Sequence, residues 1–487
     1  MSETLSAWVL FGGYAVLVVV IAVRSRLKAR SMQSFSVGTR TLPPSLIGLS
    51  LAANLTSAAT FVINPGLIYL YGWSGILGYG VAAPLGIFLG LIVFSKSFRR
   101  IGDRFTVLTV PQWIGERYGS VGLRVWFAVL SLLQVTFLVL IVVGLAIVLR
   151  STLQIPIEAA LAMTVLFTFA YIVLGGASAH ILTNTLQAGI MILVAFILLG
   201  SGMQYLGPGF FSRLAEVGPH YATLTNPGSL LFRDLFEVFA ANFFIGVAII
   251  MQPHVVSKAL YLRTEADVNR YLGTAIVVQT LFFAVLLTGI YARFTLGDSV
   301  PTPDAVIATY IVTEFPPFVR AVIGLGVLAA GFSTMEGILV ALSSIVANDF
   351  LRHVLPRHLT ETERWEKVSL RAARGFLLLL APVTFALSYY QALHPSLSVA
   401  MFAQNGVYGL FAATFAPVCF GIFTHRRLPS WAFAASCVAL VVHFGMKYAA
   451  ITQYSNNPAV PATFALGASV IVMAVGAALN RKTHDRD

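Results

Sequence analysis

Charged side chains are scarce in this 487-residue sequence, where Asp, Glu, Lys and Arg together make up 10% of the chain. Soluble globular proteins carry about 25%, so this chain lacks the polar groups that cover a folded surface in water. Cysteine is also rare, since only Cys419 and Cys437 occur, both in apolar stretches and without disulfide or metal-site spacing. These shortages exclude a cytosolic, secreted or nucleic-acid-binding protein.

Apolar residues are abundant instead, at 58% of the chain, and they fall into thirteen long stretches. Most of these stretches exceed the roughly 18 to 20 residues that cross a bilayer as a helix. The sequence therefore predicts an all-α, polytopic membrane protein with about 13 transmembrane helices. We number the predicted spans from one to thirteen along the chain.

The basic residues predict how the chain is oriented. There are 31 Lys and Arg residues against 19 Asp and Glu, which gives a net charge of +12. If the N-terminus lies outside and the spans alternate, 25 of the 31 basic residues fall on the inner side. The positive-inside rule favours this orientation. We expect a multi-pass protein of the plasma (bacterial inner) membrane, with the N-terminus outside, the C-terminus cytoplasmic, and no nucleic-acid partner.

Two spans are interrupted by polar and helix-breaking residues. Span two has small polar residues at Asn54–Thr60 followed by Pro65, and span seven has Asn242, Gly246 and Pro253. Interrupted helices at corresponding positions of two halves are typical of transporters built from inverted repeats. The prediction places a first transmembrane helix and basic loop at 1–40, repeats at 41–203 and 234–424, an outer loop at 204–233, and two terminal helices with a tail at 425–487.

Span nine carries adjacent hydroxyls, Ser333 and Thr334, among small residues that leave carbonyl oxygens accessible. Such neutral oxygens can bind a cation without burying a formal charge. Span two would face this pair with its own unwound carbonyls. The alternative is that both hydroxyls bond back to the preceding helical turn.

Several of these stretches resemble the sodium/solute symporter family, with a match over about residues 5 to 450. The matching stretches are Ala52–Ser57, Thr109–Gln112 with Glu116–Gly119, Gly175–Ala179, and Ala329–Thr334 with Asp349. The resemblance implies a five-plus-five inverted-repeat (LeuT-type) core and Na⁺-driven solute import by alternating access. It is closer to proline, pantothenate and monocarboxylate members than to sugar members. It also implies a Na⁺ site formed by Ala52, Leu55, Ala330, Ser333 and Thr334.

The chain departs from the family pattern at two positions. Asn184 stands where an aspartate is usual, and Glu336 stands where members often carry Asp. An ionisable group at the depth of Glu336 is costly and suggests a function. It could retain a proton, complete a second cation site or bond a neighbouring helix, and the sequence offers it no evident acidic or histidine partner. His180 and His443 are expected to be hydrogen-bonded packing residues.

The solute pocket is expected between spans two, three, seven and eleven. The candidates are Thr56, Ser57, Thr60, Phe61, Asn242, Phe243 and Gln404. A small amino acid or carboxylate, such as proline, pantothenate or a monocarboxylate, suits this pocket because the N-termini of broken helices supply amide donors. The chain is expected to be a monomer and not an enzyme. The alternatives are proton-coupled symport through Glu336 and a transporter-like membrane sensor.

Overall fold

The computed structural model describes residues 3–26, 31–37, 40–300, 302–356, 360, 362–394, 399–424, 426–450 and 452–480. Within them, 11 helices are long and apolar enough to cross a membrane, and two strongly bent helix pairs bring the number to 13. No strand occurs in this part of the chain. The all-α polytopic prediction is confirmed, while the basic segment 27–30 and the tail 481–487 lie outside the described residues.

The spans keep their predicted order, and each connection is short or contains a short helix. Their bounds are Leu5–Ser25, Pro44–Leu55 with Ala59–Tyr71, Trp73–Arg104, Val121–Leu153, Ile157–Ala177, Ala179–Tyr205, Phe236–Ile249 with Pro253–Tyr261, Asp267–Leu296, Pro317–Val354, Val368–Leu393, Val399–Phe423, Pro429–Tyr448 and Ala459–Leu479. The connecting helices include Met32–Val37, Val110–Tyr118, Phe210–Val217 and Val306–Glu314.

Span 9 lies at the centre of the bundle. Its most apolar window is 89% buried within the protein, whereas the corresponding windows of spans 1, 10 and 12 are 28% buried. Span 9 packs chiefly against spans 4, 5 and 6 and also contacts the first half of span 2. Small residues fill this contact zone, which is how helices approach closely in membranes. The polar residues of span 9 therefore face protein and not lipid.

Span 2 is broken, as predicted. Pro44–Leu55 and Ala59–Tyr71 form an angle of 54°. The first half ends where Thr56 leaves helical geometry, at φ −100° and ψ 90°, and its amide bonds to the carbonyls of Ala52 and Ala53. Within the second half, Pro65 lies where the π-helical turn Ala59–Ile63 gives way to the α-helix Asn64–Tyr71.

Span 7 is also broken, with 59° between Phe236–Ile249 and Pro253–Tyr261. The break follows Ile249, and Pro253 starts the second half. Asn242 and Gly246 lie within the continuous first half. Gly246 serves close packing, because a Cβ there would overlap the carbonyl of Ala83 in span 3. The interruption was thus predicted correctly, and proline is the residue that marks it.

Spans 5 and 6 are separated only by residue 178, and the helix kinks just before it, at Gly176 near the end of span 5. Gly176 has φ +55°, in the left-handed region, and a Cβ at this position would overlap the ring of Phe35. Glycine meets both demands because it has no side chain. The kink at Gly176 is where the chain passes from span 5 to span 6.

Candidate sodium site and solute cavity

The hydroxyl pair of span 9 meets the broken end of span 2. Ser333 Oγ lies 2.8 Å from the carbonyl oxygens of both Ala53 and Ala330. Thr334 Oγ1 lies 3.0 Å from the carbonyl oxygen of Asn54 and 3.4 Å from that of Ala330. Both hydroxyls therefore bond back within their own helix and also reach span 2. Bonding to the preceding helical turn thus does not exclude a cation site shared with span 2.

Five neutral oxygens converge at this point: two hydroxyls and three carbonyls. All five residues that supply them are 0–1% exposed. Hard cations prefer oxygen ligands, and a neutral ligand set lets a single positive charge enter without leaving a buried charge behind. The donor chemistry of this junction therefore fits Na⁺.

The carbonyls that face the hydroxyls belong to Ala53 and Asn54. These residues are the chain neighbours of the predicted ligands: Ala53 follows Ala52, and Asn54 precedes Leu55. The Ala52 carbonyl accepts the amide of Thr56 at 3.1 Å. Leu55 lies at the end of the helix and lines the adjoining cavity. The assignment of Ala52, Leu55, Ala330, Ser333 and Thr334 as ligands stays a prediction, in a region where all five come together.

A cavity of about 110 Å³ adjoins the break in span 2. Spans 2, 3, 4, 7, 8 and 11 line it, and no Asp, Glu, Lys, Arg or His is among its lining residues in the described part of the chain. Typical ligand pockets have about 300 Å³ or more. A larger solute therefore needs the walls to separate, as alternating access provides.

Four of the seven predicted solute contacts lie on the wall of this cavity: Ser57, Thr60, Asn242 and Gln404. The other three do not. Thr56 Oγ1 accepts a hydrogen bond of 2.9 Å from Gln279 Nε2, Phe61 packs against Phe282, and Phe243 packs against Phe244.

Sequence reasoning missed two amides on the cavity wall, Asn64 and Gln252. Their side-chain oxygens, Oδ1 and Oε1, are buried and have no hydrogen-bond partner. Each amide directly precedes a proline, Pro65 or Pro253, in one of the two broken spans. The repeated amide-proline pair was the available signal, because proline removes a backbone hydrogen bond in each broken span: Pro253 starts the second half of span 7, and Pro65 lies within the second half of span 2.

Glu336 is fully buried and is the hub of a hydrogen-bonded network. Its carboxylate accepts from Thr183 Oγ1 at 2.5 Å, from Gln187 Nε2 at 2.7 Å, and from the Tyr171 hydroxyl. His180 Nδ1 lies 3.3 Å away. The expectation that Glu336 lacks a histidine partner was therefore wrong.

The signal for this network was the spacing on span 6. Positions 180, 183, 184 and 187 follow the i, i+3, i+4, i+7 pattern, so they share one face of a helix. Asn184 belongs to this face: its amide lies 3.5 Å from the Ser333 carbonyl, and in the opposite amide orientation 3.2 Å from Glu336 Oε2. His443, by contrast, bonds the Asn405 carbonyl at 2.9 Å, as a packing residue does.

Comparison with known proteins agrees with this architecture. The profile of the sodium:solute symporter family matches residues 35–439. The sodium/pantothenate symporter of Haemophilus influenzae is 26% identical over 91% of this chain and 90% of its own length. That of Escherichia coli is 26% identical over 91% and 90%. The sodium/proline symporter of Staphylococcus aureus is 22% identical over 84% and 80%.

Solved structures show the same fold. A Na⁺-coupled sialic acid symporter, in a substrate-bound outward-open state, superposes with a TM-score of 0.77 at 17% identity, over 97% of this chain and 98% of its own. A nucleobase-cation-symport-1 family transporter in a closed conformation gives 0.51 at 15% identity, over 91% and 95%. The LeuT-type core is thus confirmed. The chain belongs to the sodium:solute symporter family, and it is a multi-pass membrane transporter, not an enzyme, that couples Na⁺ to the import of a small organic solute.

Proposed function

We propose that the solute of this symporter carries one carboxylate together with several N–H or O–H groups, and that it is pantothenate or a close analogue. The observation that carries the proposal is the pair of unpartnered amide oxygens, Asn64 Oδ1 and Gln252 Oε1, on the cavity wall. A buried acceptor without a donor costs about 1–3 kcal/mol. A solute that brings donors removes this cost, whereas a plain monocarboxylate leaves it in place.

The neutral wall of the cavity supports the same class. Among the described residues, no cationic side chain lines the cavity to pair with a solute carboxylate. The carboxylate must therefore be hydrogen-bonded by hydroxyls, amides and the unwound backbone of span 2. Tyr79, Tyr408 and Gln404 all line this cavity. The sodium/pantothenate relatives, which align along nearly the whole chain, support pantothenate over proline.

Sodium coupling follows from where the proposed ion site lies. Ser333 and Thr334 join span 9 to the broken end of span 2, and Leu55, at that end, is also a wall of the solute cavity. An ion bound between these elements stabilises the arrangement in which the wall is formed. Na⁺ and solute then favour the same conformation, which is the requirement for coupling.

The orientation is part of the proposal. An external N-terminus and a cytoplasmic C-terminus, in a bacterial inner membrane, place 25 of 31 basic residues on the cytoplasmic side. We also propose that the monomer transports, since one chain supplies both broken spans and every wall of the cavity.

Glu336 and Asn184 are proposed to tune ion coupling by fixing span 6 against span 9. The network around Glu336 joins spans 1, 5, 6 and 9, and Asn184 reaches the carbonyl of the ion-site residue Ser333. Glu336→Gln is expected to change the Na⁺ dependence of uptake. Unchanged Na⁺ and pH dependence in this variant would assign Glu336 a purely structural role.

The decisive experiment is uptake into proteoliposomes of the purified chain. Labelled pantothenate, proline, a monocarboxylate of pantothenate's length without N–H or O–H donors, and glucose are each offered with an inward Na⁺ gradient, an inward H⁺ gradient, or neither. Pantothenate is expected to accumulate with Na⁺ only. Preferential uptake of the donor-free acid contradicts the solute class, and accumulation with H⁺ alone contradicts Na⁺ coupling.

The amide pair has its own test. Asn64→Leu and Gln252→Leu are each expected to raise the KM for pantothenate by about tenfold or more, because an unmade hydrogen bond to a solute lowers its affinity. The matched control is Gln391→Leu, which removes a buried amide from span 10, away from the cavity. Equal effects of all three substitutions would mean that the amides act on folding and not on the solute.

A further inference from the structure

Four arginines line one cavity, well separated in the fold from the sodium and solute sites. Arg100 and Arg104 end span 3, Arg117 lies on the connecting helix Val110–Tyr118, and Arg427 follows span 11. The cavity has a volume of about 500 Å³ and shares no lining residue with the solute cavity. It lies on the side of the protein that we propose is cytoplasmic.

Only one of these guanidinium groups is neutralised. Glu265 holds Arg100 in a bidentate pair, with distances of 2.5 and 3.0 Å. In the described part of the chain, no carboxylate lies within 4 Å of the guanidinium nitrogens of Arg104, Arg117 or Arg427. The cavity therefore carries an excess of positive charge.

The nearby acidic residues are engaged elsewhere. Asp103 pairs with Arg99 at 2.7 Å, and Glu116 lies 3.6 Å from Arg124. Both nearby carboxylates therefore already have an arginine partner outside the cavity. Neither can neutralise the cavity arginines by a side-chain rotation without giving up that partner.

Arg117 is a fixed part of the cavity. Its Nε donates to the Gly421 carbonyl at 2.6 Å, and its Nη2 donates to the Thr424 carbonyl. Burial lowers the pKa of Arg117, Tyr118 opposes this shift, and the charges of Arg427 and Arg104 add to it. Arg104 and Arg427 beside it are exposed, so like charges gather at one place on the surface, and an anion bound there relieves their mutual repulsion.

The rest of the cavity is partly apolar and lies next to the lipid-facing surface. Ile101, Phe105 and Ile422 line it together with the arginines. Phe423, which follows Ile422 and ends span 11, is 61% exposed. A ligand here meets cationic groups at one end and a hydrocarbon-facing surface at the other.

We propose that this cavity binds the phosphate headgroup of an anionic phospholipid. Guanidinium groups pair with phosphate oxygens through charge-assisted and often bidentate hydrogen bonds. Basic pockets between transmembrane helices on the cytoplasmic side suit anionic headgroups. Because three guanidinium groups lack a carboxylate partner, a headgroup with two phosphates is favoured over one with a single phosphate. The site extends the function beyond transport by making the inner half of the protein sensitive to lipid composition.

The test measures lipid binding to the purified full-length chain by native mass spectrometry and by thermal unfolding in detergent. The probes are cardiolipin, phosphatidylglycerol, phosphatidylcholine, glycerol 3-phosphate and inorganic phosphate. Cardiolipin is expected to bind most tightly and phosphatidylcholine least. Arg104→Gln combined with Arg427→Gln is expected to weaken cardiolipin binding by about tenfold or more, because each substitution removes a charge-assisted hydrogen bond to phosphate.

The matched control is Arg270→Gln combined with Arg371→Gln, which removes two exposed charges outside the cavity. Binding that is unchanged by the cavity substitutions, or lost equally with the control pair, overturns the proposal. Equal binding of glycerol 3-phosphate and cardiolipin overturns the assignment to lipid. Binding that appears only after Asp485→Asn and Asp487→Asn shows that the chain's own tail neutralises the cluster, which also overturns it. None of these readouts depends on the transported solute.

Discussion

The two broken spans have similar bends, 54° in span 2 and 59° in span 7, but different chemistry at their gaps. Neutral hydroxyls of span 9 reach the gap in span 2. The second half of span 7 carries buried cationic and ring groups instead. Lys258 Nζ donates to Ser50 Oγ at 2.5 Å, and His254 Nδ1 lies 3.0 Å from Gln134 Nε2.

This difference indicates which gap can be coupled to an ion. A cation between Ser333 and the end of span 2 can enter and leave, because no fixed charge occupies that position. In the second half of span 7 the polar side-chain group that reaches span 2 is the Lys258 amine, which is tethered to the chain and cannot be exchanged. The two repeats thus share a geometry that brings polar backbone into the membrane core, and the side chains decide what each gap does.

The largest expected effect comes from the neutral gap. Ser333→Ala combined with Thr334→Ala removes both hydroxyl ligands, and each is worth about 1–3 kcal/mol. The Na⁺ concentration for half-maximal uptake is therefore expected to rise by about 100-fold or more. The measurement is solute uptake against a Na⁺ titration in proteoliposomes.

Ser343→Ala is the matched control for that double substitution. It removes another buried hydroxyl from the same helix, one that bonds only the carbonyls of Leu339 and Val340 in its own turn. Its Na⁺ dependence should equal that of the unmodified chain. A similar loss in both variants would place the ion site elsewhere.

The second prediction concerns the tethered charge. Lys258 and Glu336 are both completely buried and carry opposite charges when both are ionised, although no ion pair joins these two residues directly: Lys258 bonds Ser50, and Glu336 bonds Thr183. Lys258→Met or Glu336→Gln alone leaves one buried charge uncompensated and should lower the free energy of unfolding by about 3 kcal/mol. The double substitution should cost about 1–3 kcal/mol less than the sum of the two.

Thermal unfolding in detergent checks this cycle, with Lys447→Met as the control lysine. Lys447 Nζ bonds only the Ser455 carbonyl, at 2.9 Å, near the end of span 12. The effects of Lys447→Met and Glu336→Gln on the free energy of unfolding should therefore be additive. Additive effects of Lys258→Met and Glu336→Gln would show that the two charges do not stabilise each other.

A third, smaller effect is expected where the two broken spans touch. Asn54 Nδ2 donates to the His254 carbonyl at 3.2 Å, and a Cβ on Gly337 would overlap the Asn54 side chain. Asn54→Ala should cost about 1 kcal/mol of stability. Gly337→Ala should displace the same amide, so the double variant should be no less stable than Gly337→Ala alone. Additive losses would mean that Gly337 has a separate role.

The smallest effect is expected at the surface end of span 7. Glu265 pairs there with Arg100 and, at 3.7 Å, with Lys96, and these side chains are exposed. Glu265→Gln should lower the thermal stability least of these substitutions, and less at high salt, because solvent and ions screen exposed pairs. A larger loss of stability would show that the second half of span 7 is stabilised mainly by surface charge and not by the buried hydrogen bonds of Lys258 and His254.

Part of the site could be predicted from local pattern. Proline, glycine and small polar residues within apolar stretches indicated both breaks, and Ser333 and Thr334 stood out in span 9 because neutral hydroxyls are exceptional there. The carbonyl partners of these hydroxyls could not be predicted to the exact residue. The Ser333 bond to Ala53 joins residues 280 positions apart, and the site's geometry depends on how two helices rotate against each other.

The sequence by itself determined the membrane class, the number and order of the spans, and the two breaks. These properties depend on composition and on signals within a few residues of one another. Only the tertiary structure decided that Glu336 is satisfied by Tyr171, His180, Thr183 and Gln187, that Asn64 and Gln252 share one cavity, and that four arginines share another. The physical reason is that buried polar groups in a membrane must find partners within the protein, and helix packing decides which partners lie in reach.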